Sequence, residues 1–342
     1  MKKWKFLTAA AALTLALAAC GDEEAKETEK ETPAAEATES NGAFPMTVES
    51  LSGENVDRDS NEKTVFDAVE LEEQPKRIIT LDYGFLDTLD ALGVEGIVGV
   101  AANGGDGNVP AHLKEKYAPS DSIQDVGSLK EINLEAVAAA EPDVIFISGR
   151  QAGYYEELKE ITPNVLFIAS DNESYVDGLY ETVDLAAKIF GKEEKAEELK
   201  AAFQEKVDAV KEKAAGYENA LVAMYNEKKI AGFDNGKESR FAYVYNDFGF
   251  TPATTGIETS SHGSDFSYES VLKVNPEVLF VIDRTVTDVE TLKAEVENDI
   301  IKKTRAYEEG KIVYLDGINW YFASNGITTE ADKLDEILNE LK

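Results

Sequence analysis

The chain has 342 residues with 34 Lys+Arg against 67 Asp+Glu, a formal net charge of −33. An acid excess spread over the whole length excludes a nucleic-acid binder, which needs a basic stripe for phosphates, while 43% hydrophobic residues with 15 Phe and 14 Tyr support packed cores, in two domains or one large one. One Cys excludes an intrachain disulfide, and with only two His it argues against a zinc site built from His and Cys.

In chain order, Lys2, Lys3 and Lys5 precede an apolar run from Phe6 to Ala19 that ends Leu17-Ala18-Ala19-Cys20. Residues 1–19 therefore read as a secretory signal, because the run is shorter than the roughly 20 residues a spanning helix needs. Leu-Ala-Ala-Cys is similar to a bacterial lipobox, which implies cleavage before Cys20 and a lipid such as palmitate on it. An ordinary signal with an incidental Cys is the alternative. Residues 21–40 carry eight acids, two Lys and no large apolar side chain. Such a stretch cannot bury enough surface to offset its ordering entropy, so 20–60 is expected to be a solvated tether that holds an extracytoplasmic body at the membrane.

The body contains a repeat. Residues Glu135 to Arg150 align without gaps to Glu269 to Arg284, with six of sixteen positions identical. Each copy predicts a short helix from the Glu that stops before Pro142 or Pro276. Each then predicts a strand buried on both faces of a parallel sheet, Val144 to Ile147 or Val278 to Ile282. Further short apolar runs, Arg77 to Leu81, Gly96 to Val100 and Asn164 to Ala169, alternate with helical stretches before the first linker. Ala220 to Met224, Lys229 to Gly232 and Lys311 to Leu315 do so after it. The alternation predicts an α/β fold with two lobes, 61–191 and 216–342, each with a mainly parallel sheet. Between them, 192–215 has apolar residues at helical spacing and no Gly or Pro. It reads as one long rigid helix joining the lobes.

Ligands of open parallel sheets lie beyond the carboxyl ends of the strands. Arg150 and Arg284 end the two repeats at that position, and Arg240 opens a helix after a turn in the second lobe. Arginines at successive strand ends imply an anionic, oxygen-rich ligand. For each one the plainer explanation is a local ion pair, as Arg284 could make with Asp283. Glu135 and Glu269 are placed to interact with the N-termini of equivalent helices, which explains them without any partner.

The segments Gln74-Pro-Lys-Arg-Ile-Ile-Thr-Leu-Asp-Tyr83-Gly, Leu86-Asp-Thr-Leu-Asp-Ala-Leu-Gly93, Val126-Gly-Ser-Leu129 and Ser148-Gly-Arg150-Gln resemble the ferric-siderophore substrate-binding lipoproteins of ABC importers, catecholate branch. Ser261-His262-Gly263, Val281-Ile-Asp-Arg284 and Trp320-Tyr321 extend the resemblance from about Thr64 to Lys342. It implies the class III binding-protein fold, two Rossmann-like lobes on one helix, and a protein that is a monomer and not an enzyme. It further implies a ferric siderophore as ligand with no permanently bound cofactor. Arg150, Arg240 and Arg284 fall on the family's basic triad, His262 and Tyr321 on its optional iron donors, and Tyr83 and Trp320 beside the ligand. On residues alone, His262 reads as an exposed loop His and Tyr321 as a half-buried rim aromatic. Glu135 and Glu269 fall on one acidic docking knob per lobe for the dimeric permease, which works with a cytoplasmic ATPase. The Gly-rich loop Ala101 to Pro110 and the turn Ser324-Asn325-Gly326 depart from the branch and leave the siderophore open.

Enzyme motifs fail. Gly232-Phe-Asp-Asn-Gly236-Lys237-Glu238 is one residue short of a P-loop and has Glu where Ser or Thr must hold magnesium, and no G-x-S-x-G elbow occurs. A hydrolase using an Arg, His and Tyr cluster is the alternative from another class. Among binders haem is the nearest rival, since His262 and Tyr321 are both axial-ligand types. Bare metal ions normally need more His, and ferric hydroxamates carry less negative charge than three Arg would answer.

Overall fold

The computed structural model describes residues 44–57, 60–105, 107–258 and 266–341. The signal, Cys20 and His262 lie outside the described residues. Strands β1 (Met46–Val48), β2 (Glu54–Val56), β3 (Lys63–Val65) and β4 (Val69–Leu71) form two small antiparallel pairs, β1 with β4 and β2 with β3. This corrects the expected tether boundary at residue 60. Val48 is buried, the amide of Leu51 donates to Phe167 at 3.0 Å, and the amide of Phe167 donates to Ser50 at 2.9 Å. The segment 46–51 has enough apolar side chains to pack on the first lobe, which the acid-rich stretch before it lacks.

The first lobe then runs β5 (Ile78–Thr80), α1 (Tyr83–Ala91), β6 (Ile97–Val100), α2 (Ala111–Lys114), β7 (Gln124–Asp125), α3 (Leu134–Ala139), β8 (Val144–Ile147), α4 (Tyr155–Ile161), β9 (Val165–Phe167) and α5 (Tyr175–Phe190). Its sheet has the order β7-β6-β5-β8-β9 and every pair is parallel. The chain starts in the middle with β5, winds outward through β6 and β7, then crosses to β8. The crevice between the ends of β5 and β8 is therefore the topological switch point, where doubly wound sheets bind ligands.

Helix α6 (Glu193–Ala214) joins the lobes. Its buried residues Ala196, Phe203, Val207, Val210 and Ala214 recur at helical spacing, and its 22 residues span about 33 Å at 1.5 Å each. The second lobe comprises β10 (Ala220–Asn226), β11 (Lys229–Phe233), α7 (Tyr243–Asn246), α8 (Tyr268–Val274), β12 (Val278–Asp283), α9 (Val289–Val296), α10 (Arg305–Glu308), β13 (Ile312–Leu315) and α11 (Ile327–Glu340). Its sheet order is β11-β10-β12-β13, with β10, β12 and β13 parallel and β11 an antiparallel edge. Within the repeat, β8 and β12 are equivalent: each is buried along its length and pairs in parallel with the first strand of its own sheet.

The final helix, α11, returns to the first lobe and packs on α6 and α1. The buried carboxylate of Asp87, on α1, caps it by accepting the amides of Thr328 at 2.8 Å and Thr329 at 3.0 Å, and His112 meets its other oxygen at 2.7 Å. The approach is backbone to backbone. A Cβ on Gly84 would lie 2.1 Å from the Ser324 carbonyl, and one on Gly326 would lie 2.5 Å from Asp87, so only glycine fits at either place. One hydrophobic core consequently runs through both lobes, and a smaller one covers the outer face of the second sheet.

Candidate ligand-binding cleft

At the end of β5, Asp82 accepts the Ser148 hydroxyl from the end of β8 at 2.9 Å. The buried Gln151 accepts the Ser148 amide at 3.1 Å and donates to the Leu129 carbonyl at 2.6 Å. These bonds hold the 3₁₀ turn Gly149–Tyr154, which carries Arg150 over the switch point. Opposite it, Asp234 at the end of β11 accepts the amides of Gly236 at 3.0 Å and Ile257 at 2.9 Å, fixing the turn that presents Arg240. Arg240 sits in this turn, three residues ahead of α7, rather than opening a helix as expected. The amide of the preceding Ser239 closes a turn onto the Gly236 carbonyl at 2.9 Å, and α7 begins only at Tyr243.

The third wall is a single π-helical turn, Ile318–Phe322, carrying Trp320 and Tyr321. Arg240 Nη2 donates to the Tyr321 carbonyl at 2.7 Å and Arg150 Nη2 approaches the same oxygen at 3.5 Å. The Arg240 guanidinium also lies 4.0 Å from the centre of the Tyr321 ring, with that of Arg284 at 5.2 Å. All three arginines thus gather around Tyr321, and Arg150, Arg240 and Tyr321 line a cleft of about 440 Å³. Among the described residues no carboxylate forms an ion pair with any of them. The local pairing considered for Arg284 is absent there, because Asp283 accepts the hydroxyls of Thr285 and Thr287 instead. Burial, and then the charge of Arg150, pull the Arg240 pKa below its ordinary value. Two cations that share one neutral carbonyl suit an anion, and the carboxylates of Asp82 and Glu238 also line the cleft without pairing with either arginine.

Behind this wall lies a buried polar network that the sequence analysis missed. Glu330 Oε1 on α11 accepts the Tyr175 hydroxyl at 2.7 Å, the Asn325 amide at 3.0 Å and Lys333 Nζ at 2.6 Å. Glu330 and Lys333 are both fully buried. Tyr175, at the start of α5, stacks on Tyr243 at 4.1 Å, so the network ties the first lobe to the turn after Tyr321. A signal was present: Ile327, Glu330, Leu334 and Ile337 share one helical stripe, so Glu330 fills a position patterned as core.

Trp320 needs correction. It is fully buried, stacks with Tyr243 at 6.2 Å, and its indole N–H donates to Glu336 Oε2 at 2.7 Å. It supports the wall from behind and does not line the cleft, because one π-turn cannot aim two successive side chains the same way. Tyr83 is buried beneath the first-lobe side, where its hydroxyl donates to the Ala101 carbonyl at 2.5 Å and burial pushes its pKa up to about 12. The Gly-rich loop from Ala101 packs on that hydroxyl. Glu135 and Glu269 are exposed on the first turns of α3 and α8.

The periplasmic binding protein family profile matches residues 78–318, from β5 to the first residue of the π-turn. The chain belongs to this family. It is 35% identical to the petrobactin-binding protein YclQ of Bacillus subtilis over 274 residues, covering 78% of this chain and 83% of that protein. It is 33% identical to the ferric-anguibactin-binding protein FatB of Vibrio anguillarum over 276 residues, 78% and 82% of the two. Among solved structures, YclQ superposes with a TM-score of 0.74 at 33% identity, covering 87% of this chain and 98% of that one. The catecholate-siderophore-binding protein VctP of Vibrio cholerae superposes with a TM-score of 0.70 at 29% identity, covering 85% and 99%. These relatives are substrate-binding proteins rather than enzymes. Among the described residues no helix is long and apolar enough to cross a membrane.

Proposed function

We propose that the chain captures a ferric siderophore of catecholate type outside the cytoplasm and delivers it to an ABC permease, without chemistry on the ligand. The observation that carries this is the pair Arg150 and Arg240 on one carbonyl oxygen, neither of them in an ion pair with a carboxylate among the described residues. Ferric catecholates are multiply anionic, and relatives named for petrobactin and ferric anguibactin support the class. Arg284 completes the charge, and Tyr321, with His262, is the candidate protein donor to iron whose chelator leaves a coordination position open. Cys20 is the proposed lipid site that keeps the protein at the membrane. Glu135 and Glu269 are the proposed contacts with the two permease subunits. The shared core and α6 imply that the lobes close only slightly on binding.

Calorimetric titration with ferric catecholates, ferric hydroxamates, haem and cobalamin tests this. The expected result is tight binding of the first class alone. Binding of haem without binding of catecholates sinks it.

A further inference from the structure

We infer that Asp283 positions Arg284 for the ligand: its carboxylate, fully occupied by Thr285 and Thr287, sets the turn that aims the guanidinium at Tyr321 and leaves it without a counter-charge. The inference rests on reading the cleft as a ferric-chelate site.

Strand β12 ends at Asp283, which is only 3% exposed. A carboxylate has about four lone-pair directions, and burial makes each one costly to leave empty. Here all are answered by two residues. Oδ1 accepts the Thr285 amide at 2.9 Å and its hydroxyl at 2.6 Å, and Oδ2 accepts the Thr287 amide at 2.6 Å and its hydroxyl. Arg284, next in the chain, donates its amide to the Tyr225 carbonyl of β10 at 3.0 Å, so its own backbone still belongs to the sheet. The four bonds therefore have two effects. They fold the chain beyond Arg284 back onto the strand end, and they withdraw the adjoining carboxylate from its guanidinium.

Two further observations mark this turn as specified. Val286, between the two threonines, has a φ of 54°, which a β-branched residue rarely adopts, and at 38% exposure no packing of its side chain accounts for it. The bonds on either side hold it there. A Cβ on Gly317 would lie 1.7 Å from the Asp283 carbonyl, so the backbone of Asp283 abuts the residue that leads into the π-turn. Arg284 and Tyr321 thus spring from one backbone contact, which sets the 5.2 Å between guanidinium and ring centre.

The experiment is calorimetry on the full chain with a ferric dihydroxybenzamide chelate, as a double-mutant cycle. Thr285→Val with Thr287→Val is expected to weaken binding about tenfold, the size of one charge-assisted hydrogen bond, while Thr285→Ser with Thr287→Ser keeps the wild-type affinity. In an Arg284→Ala background the valine changes are expected to alter nothing further. Thr287→Val alone carries the same cycle if the paired valine variant does not fold. Wild-type affinity in the valine variants, or an equal loss with and without Arg284, overturns the positioning role and leaves the cleft reading intact. Failure of the wild type to bind the chelate overturns the cleft reading and the positioning role with it.

Discussion

Arg150 and Arg240 belong to different lobes, yet both point at the carbonyl oxygen of Tyr321, at 3.5 Å and 2.7 Å. A neutral acceptor cannot offset two charges, so most of their electrostatic potential is left for a ligand. Arg240→Ala is therefore expected to weaken chelate binding by about tenfold to a hundredfold, the range of one lost charge-assisted hydrogen bond. Arg240→Lys should not restore it, because an ammonium cannot reach the carbonyl and cover the Tyr321 ring at the same time. Calorimetry on both variants checks this, and wild-type affinity in Arg240→Ala would refute it.

The buried pair of Glu330 and Lys333 predicts a stability effect with little direct bearing on the ligand. Burial pulls the Lys333 pKa down while Glu330 holds it up. Lys333→Ala leaves a carboxylate alone in the core and is expected to cost about 3–5 kcal/mol. Glu330→Gln retains acceptors for Tyr175 and Asn325 but strands the ammonium, so the two single changes should sum to more than the double variant loses. Urea unfolding midpoints of the three variants measure this.

Two groups make stability fall as pH rises. Burial pushes the Glu336 carboxyl up to about 7 from its ordinary 4.5, against the pull of the Trp320 and Asp316 N–H donors. The folded chain thus keeps a proton there that the unfolded chain releases, and stability is lost between those two values as pH rises. For His112 the hydrogen bond with Asp87 raises the pKa above 6.5, so its contribution is complete below 6.5 and disappears as pH passes the raised value. Glu336→Gln should flatten the lower part of the curve and His112→Asn the upper part. Unfolding free energies across this range, with the emission of Trp320 followed through the lower window, test both assignments.

The contact between Gly84 and the turn at Ser324 leaves no room for a methyl group. Gly84→Ala is expected to cost at least about 1–3 kcal/mol, since the clash is with backbone and cannot be relieved by a rotamer change. Thermal unfolding reads this directly, and an unchanged melting temperature would show that the two backbones separate easily.

Much of this arrangement was legible in the chain. The apolar runs at Val144 and Val278 are strands because nothing polar interrupts them, and the repeat put Arg150 and Arg284 at equivalent ends. Helix α6 declared itself through its spacing. What could not be read depends on partners far away in sequence. Glu330 falls in the apolar stripe of α11, but its pairing there with Lys333 cannot be read until Tyr175 and Asn325 are placed around it. Trp320 was expected beside the ligand because it adjoins Tyr321, and only the packing of Tyr243 and Glu336 shows that it faces the core. Asp87 gave no sign that it caps a helix more than two hundred residues later.

The π-turn under Tyr321 holds one residue more than an α-turn would need, as the bond from the Ala323 amide to the Ile318 carbonyl shows. Each residue of an α-helix rotates the next by about 100°. Removing a single residue between Ile318 and Ala323 would let the turn relax to α geometry and swing the tyrosine from between the arginines toward the core. The binding wall is thus encoded partly by a count: a deletion that spares every named side chain would still dismantle it.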